Sequence, residues 1–292
     1  MLVGHGWVAW NGHLPVRALL WNEELMRGIV ASLFNTDWNT WVSSFEIGDR
    51  IDAGVRIQAV ILFAFAASAL IPINKHGFPY IYLLATANLV LLSWLRYLEA
   101  GVGLGQFLEY ASQMAMPLIL FVSLRNCRPL LIGITLAALA LTFCSHGVFA
   151  IGYQSGTPWF NHPRPGGFTE MFMLCLGLET ESTANRLLLL GGILDLVAVV
   201  AVFIKGRTAS LGLTYMILWG FLTALARPWA YFDAANAADS LNTWVPEALL
   251  RIPHFALPLY VLLALRINAT KNPTPETVSS ELPCPTSNDS SS

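Results

Sequence analysis

Apolar positions in this chain gather into long, nearly unbroken runs. They neither alternate with polar residues nor keep to one stripe of a helix. A helix needs roughly 20 mostly apolar residues to cross the hydrocarbon core of a bilayer, and windows of that kind recur at 55–73, 79–98, 107–124, 129–151, 187–204, 210–232 and 246–267. An eighth window of the right length, 14–34 (LPVRALLWNEELMRGIVASLF), holds Glu23, Glu24 and Arg27 in its middle. Each charge there costs about 3 kcal/mol unless paired. This segment either spans or lies flat at the interface.

The polar connections between the windows sort into two alternating sets. One holds Lys75, Arg125, Arg128, Lys205, Arg207, Arg266 and Lys271, and its short linkers contain no acid. The other holds Asp37, Glu46, Asp49, Asp52, Glu99, Glu170, Glu179, Glu181, Asp233, Asp239 and Glu247, with fewer basic residues. Cytoplasmic loops collect Lys and Arg, so the first set is inside. The C-terminus is then cytoplasmic, and an even count of eight spans places the N-terminus, with Arg17, inside as well. Residues 268–292 are rich in Pro, Ser and Thr and have too little apolar surface to fold, so they read as a disordered cytoplasmic tail.

Composition agrees with this reading. Of 292 residues, 55% are hydrophobic and 12% charged, against about 25% charged in ordinary soluble proteins. A net charge of −2 offers nothing to nucleic acid. The four cysteines, Cys127, Cys144, Cys175 and Cys284, have no metal-ligand spacing and read as unpaired thiols behaving as small apolar residues. The start of the chain, MLVGHGWVAWNGHLPVR, lacks the basic, apolar and small-residue pattern of a secretory signal.

Two four-helix halves echo one another. Arg56 precedes Lys75 by the same interval as Arg186 precedes Lys205, and AMPLILFVSLR (115–125) resembles ALPLYVLLALR (256–266). Arg96 and Arg227 fall at comparable ends of the third and seventh spans. Four spans return the chain to the same side, so the repeat is a parallel one. The expected architecture is all-α: a polytopic bundle of eight spans, with one unit over 1–125 and a second over 126–267.

In the second half, HGVFAIGYQSGTPWFNHPRPGGFTEMFMLCLGLETESTANRLLLLGGILDLVAVVAVF runs through a helix, a Gly/Pro linker, a short helix and a Gly-bearing span. In this layout the chain resembles DoxX-like membrane proteins, which are four-helix units with a linker lying at the outer face. The resemblance implies a membrane component, with a quinone as a possible cofactor and a redox protein as a possible partner beside the lipid bilayer. It carries no specific chemical motif.

Ionisable groups at membrane depth are costly and mark functional sites by default. His146, Asp195, Arg227 and His254, with Arg251 and with His162 and Glu170 of the linker between spans five and six, could converge on a pocket open to the outside and floored by Asp195. The alternative is that Asp195 pairs with Arg227 or a polar neighbour as packing glue, while Arg251 and His254 reach to the headgroups. Trp159, Trp219, Trp229 and Tyr231 could wall a ring-binding site or form the interfacial belt. In the first half Glu23, Glu24, Arg27 and Arg96 form a matching polar cluster, with Glu23 and Arg27 on one helical face and Glu24 facing Arg96. The linker 152–167 either covers the pocket mouth or is an exposed loop. The histidines lie on separate segments without HxxxH spacing, and no metal is assigned.

No GxxxxGK[ST], GxSxG or HExxH is present, which argues against ATP-driven transport by this chain, serine hydrolysis and zincin chemistry. Three functions remain open. One is a quinone- or lipid-binding subunit of a membrane redox system, another a small-solute or ion transporter with its path between the repeats, and the third a non-catalytic assembly factor.

Overall fold

The structure, a computed structural model, describes residues 1–71, 79–101, 103–152, 164 and 166–271. All of its elements are helices, and no strand occurs among the described residues. In the first half these are α1 (Leu2–Trp10), α2 (Val16–Leu20), α3 (Glu23–Leu33), α4 (Trp38–Ser43), α5 (Phe45–Ser68), α6 (Tyr80–Ala100), α7 (Leu104–Glu109) and α8 (Ala111–Leu124). The second half has α9 (Arg128–Ile151), α10 (Gly166–Leu176), α11 (Glu181–Val202), α12 (Arg207–Ala230), α13 (Ala237–Leu250) and α14 (Ile252–Lys271).

Seven helical stretches are long and apolar enough to cross a membrane: α5, α6, α7 with α8, α9, α11, α12, and α13 with α14. They overlap the seven clear apolar windows of the sequence. Two of them are interrupted, one at Tyr110 near its start and the other at Arg251 near its middle, where α7 and α13 end.

The window 14–34 does not form an eighth span. Pro15 opens α2, which stops at Trp21, and the side chain of Asn22 accepts a hydrogen bond from Leu25 N at 3.1 Å to start α3. That N-cap, followed by Glu23 and Glu24 in the first turn, suits a separate short helix, because carboxylates complement the positive end of the helix dipole. Glu23 and Arg27 pair at 2.9 Å, and Glu23, Glu24 and Arg27 are all exposed. Only Met26 and Val30 of α3 are buried, clustered with Trp41. The cytoplasmic N-terminus, which rests on counting 14–34 as a span, does not follow from this arrangement. The expected cluster with Arg96 is also absent: Arg96 bonds Glu99 at 3.0 Å and the His13 carbonyl at 3.3 Å.

α14 continues to Lys271, into the stretch expected as a tail; residues 272–292, with Cys284, lie outside the described ones. Cys144 and Cys175 are free thiols, whereas Cys127 is disulfide-bonded, which corrects the reading of four unpaired cysteines.

Two apolar clusters hold the bundle together. One joins Val8, Ile51, Val55, Leu62, Leu89 and Leu92 with Leu250 of α13. The other joins Leu139, Phe143, Val199, Val202, Leu213, Met216, Leu257 and Val261 with Ile119 and Val122 of α8. Each cluster borrows from the opposite half, so the halves are interlocked. Helices α9 and α11 approach most closely at glycine: a Cβ on Gly192 would lie 2.6 Å from the Gly147 carbonyl oxygen, and one on Gly147 would lie 2.9 Å from that of Gly192. Small residues permit such backbone contact, the usual basis of helix association in lipid.

Candidate functional site

The broken ends of α7 and α13 bring a layer of polar side chains together inside the bundle. Glu247 sits between two guanidinium groups: Arg251 Nη1 donates to its Oε2 at 2.9 Å and Arg227 Nη1 to the same oxygen at 3.2 Å. Arg251 Nη1 also donates to the Glu247 carbonyl oxygen at 2.9 Å. Arg251 is only 9% exposed. The reading in which it extends to the headgroups is therefore overturned, because a buried cation is held where an anion and a carbonyl compensate its lost water.

His254 is 2% exposed. Its Nε2 lies 3.1 Å from His146 Nε2, with the rings edge to face. One imidazole must donate and the other accept, which fixes opposite tautomers for the pair. His254 Nδ1 has no hydrogen-bond partner. Glu109, from the end of α7, lies 3.7 Å from His146 Nε2 and accepts a weak hydrogen bond from Gln106 at 3.3 Å. Nearer the first half, His5 and Gln113 meet at 3.0 Å.

Beside this layer a cavity of about 540 Å³ opens between α10, α11 and α12. Its inner end is polar, formed by Glu109, His146, Asp195, Arg227 and Arg251, and its walls are apolar, with Phe168, Met171, Phe172 and Trp219 prominent. Leu176, Leu222, Leu225 and Trp229 line its outer part and are themselves exposed, so its lip belongs to the apolar outer surface. Cys175 also lines it and donates to the Ala226 carbonyl at 3.3 Å. Burial pushes the Cys175 thiol up from its ordinary range, so it stays protonated.

Asp195 is 1% exposed and accepts a hydrogen bond from Tyr215 Oη at 3.0 Å. It does not pair with Arg227, whose anion is Glu247; its partner is a polar neighbour on α12, Tyr215, the other form of the packing-glue alternative. Beyond Asp195, toward the Arg128 and Arg207 ends of the helices, Val199, Val202, Leu213, Met216 and Val261 fill the bundle.

The structure thus brings together His146, Asp195 and Arg227 along one cavity, with His254 behind His146 and outside the cavity lining. Glu170 is exposed and does not line it. His162 and Trp159 lie outside the described residues. Within the linker 152–167 only its ends and Arg164 are described; the Arg164 guanidinium donates to the Ala150 carbonyl at 2.6 Å and 2.9 Å and to that of Ile151 at 3.1 Å. A cation on the last carbonyls of α9 satisfies groups that a helix end leaves open. Among the described residues no group of three or more His, Cys, Asp or Glu is placed to hold a metal ion.

Sequence reasoning passed over Glu109, Tyr110, Gln113 and Tyr215 and counted Glu247 only as an outer charge. A signal for part of this set exists in the chain. GHGWVAW around His5 and SHGVFAI around His146 share His, Gly and Ala in register. His146 stands 141 positions after His5, and His254 stands 141 positions after Gln113, so the two bonded pairs have the same separation of 108. The AMPL and ALPL segments lie at that same spacing.

The chain matches no protein-family model, no curated protein sequence and no solved structure.

Proposed function

We propose that this multi-pass membrane protein binds a lipid-like or quinone-like hydrophobic ligand in the cavity between α10, α11 and α12, as a DoxX-like component of a membrane redox system that works with a protein partner. The observation that carries the proposal is the cavity itself. Its volume of about 540 Å³ falls in the range of small-molecule sites, about 300–1,000 Å³. It has an aromatic wall and a few polar groups at one end, and its lip of exposed apolar side chains gives a hydrophobic molecule access from the bilayer. A transport role has less support, since packed Val, Leu and Met side chains fill the bundle beyond Asp195 and Glu23 and Glu24 lie exposed on α3.

The same reading includes a tandem duplication, 1–125 and 126–267. The paired contacts at matching positions support it, as do the helix breaks at Tyr110 and Arg251, also 141 apart. In this arrangement α1 is the counterpart of the C-terminal part of α9 and takes the place assigned to 14–34. The basic connections put the C-terminal end of α14 on the cytoplasmic side of a cell membrane.

The test is native mass spectrometry of the protein purified from membranes, with identification of what co-purifies, beside an Ala226→Trp variant that fills the cavity. A bound hydrophobic species present in the wild type and missing from the folded variant is expected. Equal amounts in both would refute the assignment of the cavity.

A further inference from the structure

The first half of the chain holds a cavity of its own, of about 490 Å³, between α2, α4, α5 and α6. Two of its walls repeat those of the cavity between α10, α11 and α12. The interval of 141 that relates His5 to His146 also carries Ile47 and Gly54 of α5 onto Leu188 and Asp195 of α11. The interval of 131 that relates Arg96 to Arg227 carries Leu91 and Leu95 of α6 onto Leu222 and Ala226 of α12. Each of these residues, apart from His5 and Arg96, lines the cavity of its own half.

The chemistry of the two differs. Gly54 stands where Asp195 floors the other cavity, and Arg96 does not reach the lining. Arg50 and Gln58 are its polar side chains, and the Gln58 amide is engaged, donating to Asn88 Oδ1 at 2.8 Å. The Trp41 indole N–H is likewise taken by the Leu20 carbonyl at 2.8 Å. What remains is a hydrocarbon-like surface with exposed Phe34, Gly54 and Leu91 at its lip. From Ile47 to Gln58 a helix rises about 16 Å, close to one leaflet's share of a hydrocarbon core roughly 30 Å thick. Arg50 marks the surface end of that length, beside exposed Glu46 and Asp49 at the polar start of α5. Its Nη2 donates to Glu46 Oε1 at 2.6 Å, and among the described residues its Nε and Nη1 make no hydrogen bond. Arg17 of α2 is already paired with Asp52 at 2.5 Å. A guanidinium with free N–H groups receives phosphate oxygens, and the carboxylate next to it suits an ammonium. A headgroup of net negative charge would instead meet Glu46 and Asp49 without compensation.

We propose that the first-half cavity is a site for one zwitterionic phospholipid of the bilayer, with an acyl chain along α5 and α6, the phosphate on Arg50 and the ammonium on Glu46. The site shares no residue with the cavity of the second half, so it stands or falls independently of the ligand assigned there.

Native mass spectrometry of the full chain, delipidated in detergent, tests this by titration with dioleoylphosphatidylethanolamine, dioleoylphosphatidylglycerol and dioleoylglycerol. The wild type is expected to bind phosphatidylethanolamine about tenfold more tightly than dioleoylglycerol, which has the chains without the phosphate. Phosphatidylglycerol, which has no ammonium, should bind more weakly than phosphatidylethanolamine. Gly54→Phe places a ring in the cavity from a position where a Cβ meets nothing within 4 Å, so it should fold and lose the bound phosphatidylethanolamine. Arg50→Gln should weaken that lipid on the order of tenfold, the loss of one charge-assisted hydrogen bond. Ala226→Trp, which fills the other cavity, should retain it. Equal phosphatidylethanolamine binding by wild type and Gly54→Phe overturns the proposal. Retention in Gly54→Phe with loss in Ala226→Trp also overturns it, since the lipid then occupies the second-half cavity. So does dioleoylglycerol or phosphatidylglycerol binding as tightly as phosphatidylethanolamine.

Discussion

His146 and His254 face each other through their Nε2 atoms at 3.1 Å, in the positions where the first half of the chain places His5 and Gln113 at 3.0 Å. The same contact is made twice, once between an imidazole and an amide and once between two imidazoles. The second version lies next to Glu109 and the large cavity.

His254→Gln, which copies the first-half pair, should fold with a stability loss below about 1 kcal/mol, because the amide still satisfies His146. His254→Leu leaves that imidazole without its partner and should cost about 1–3 kcal/mol. Thermal unfolding of both variants in the same detergent reads the difference; equal losses would mean that the contact contributes nothing.

Glu247→Gln removes the anion shared by Arg227 and Arg251 and leaves two guanidinium charges without a counter-ion. Breaking a buried ionic pair in this way costs about 3–5 kcal/mol, so a sharp fall in the yield of monodisperse protein is expected. The double variant Glu247→Gln with Arg227→Gln should recover part of it, which fluorescence-detected size exclusion would show.

Gly192→Ala drives a methyl group against the Gly147 carbonyl at 2.6 Å. The α9–α11 crossing must open, at about 1–3 kcal/mol. Gly133→Ala, whose Cβ meets nothing within 4 Å, should be neutral or slightly stabilising through helix propensity. A Tm for Gly192→Ala no lower than that for Gly133→Ala would contradict the close approach.

Asp195→Asn keeps the volume and the acceptor for Tyr215 Oη while removing the carboxylate from the cavity floor. Expression and Tm should stay near wild type, and the amount or identity of the co-purifying ligand should change. Should the bound species be unaffected, Asp195 is a packing residue with no part in binding.

Four short elements before Phe45 show where the sequence was legible and was misread. Length and apolar content favoured a span over 14–34, yet Pro15, the Asn22 cap and the acids at 23 and 24 all mark helix boundaries. The HG pattern shared by His5 and His146 was equally readable.

Number, length and rough ends of the seven spans came from composition alone, because lipid accepts only long apolar helices with their backbone groups paired internally. Alternating linker charge likewise sorts the connections into two sets without reference to packing. What only the tertiary structure decided is which ionisable groups meet: Glu247 with two arginines, Glu109 with His146, Asp195 with Tyr215. Those partnerships depend on how each helix is rotated about its own axis and where α7 and α13 break. Hydrophobicity is nearly uniform around these helices and leaves that rotation undetermined; close glycine contacts and the cost of an unpaired buried charge select it.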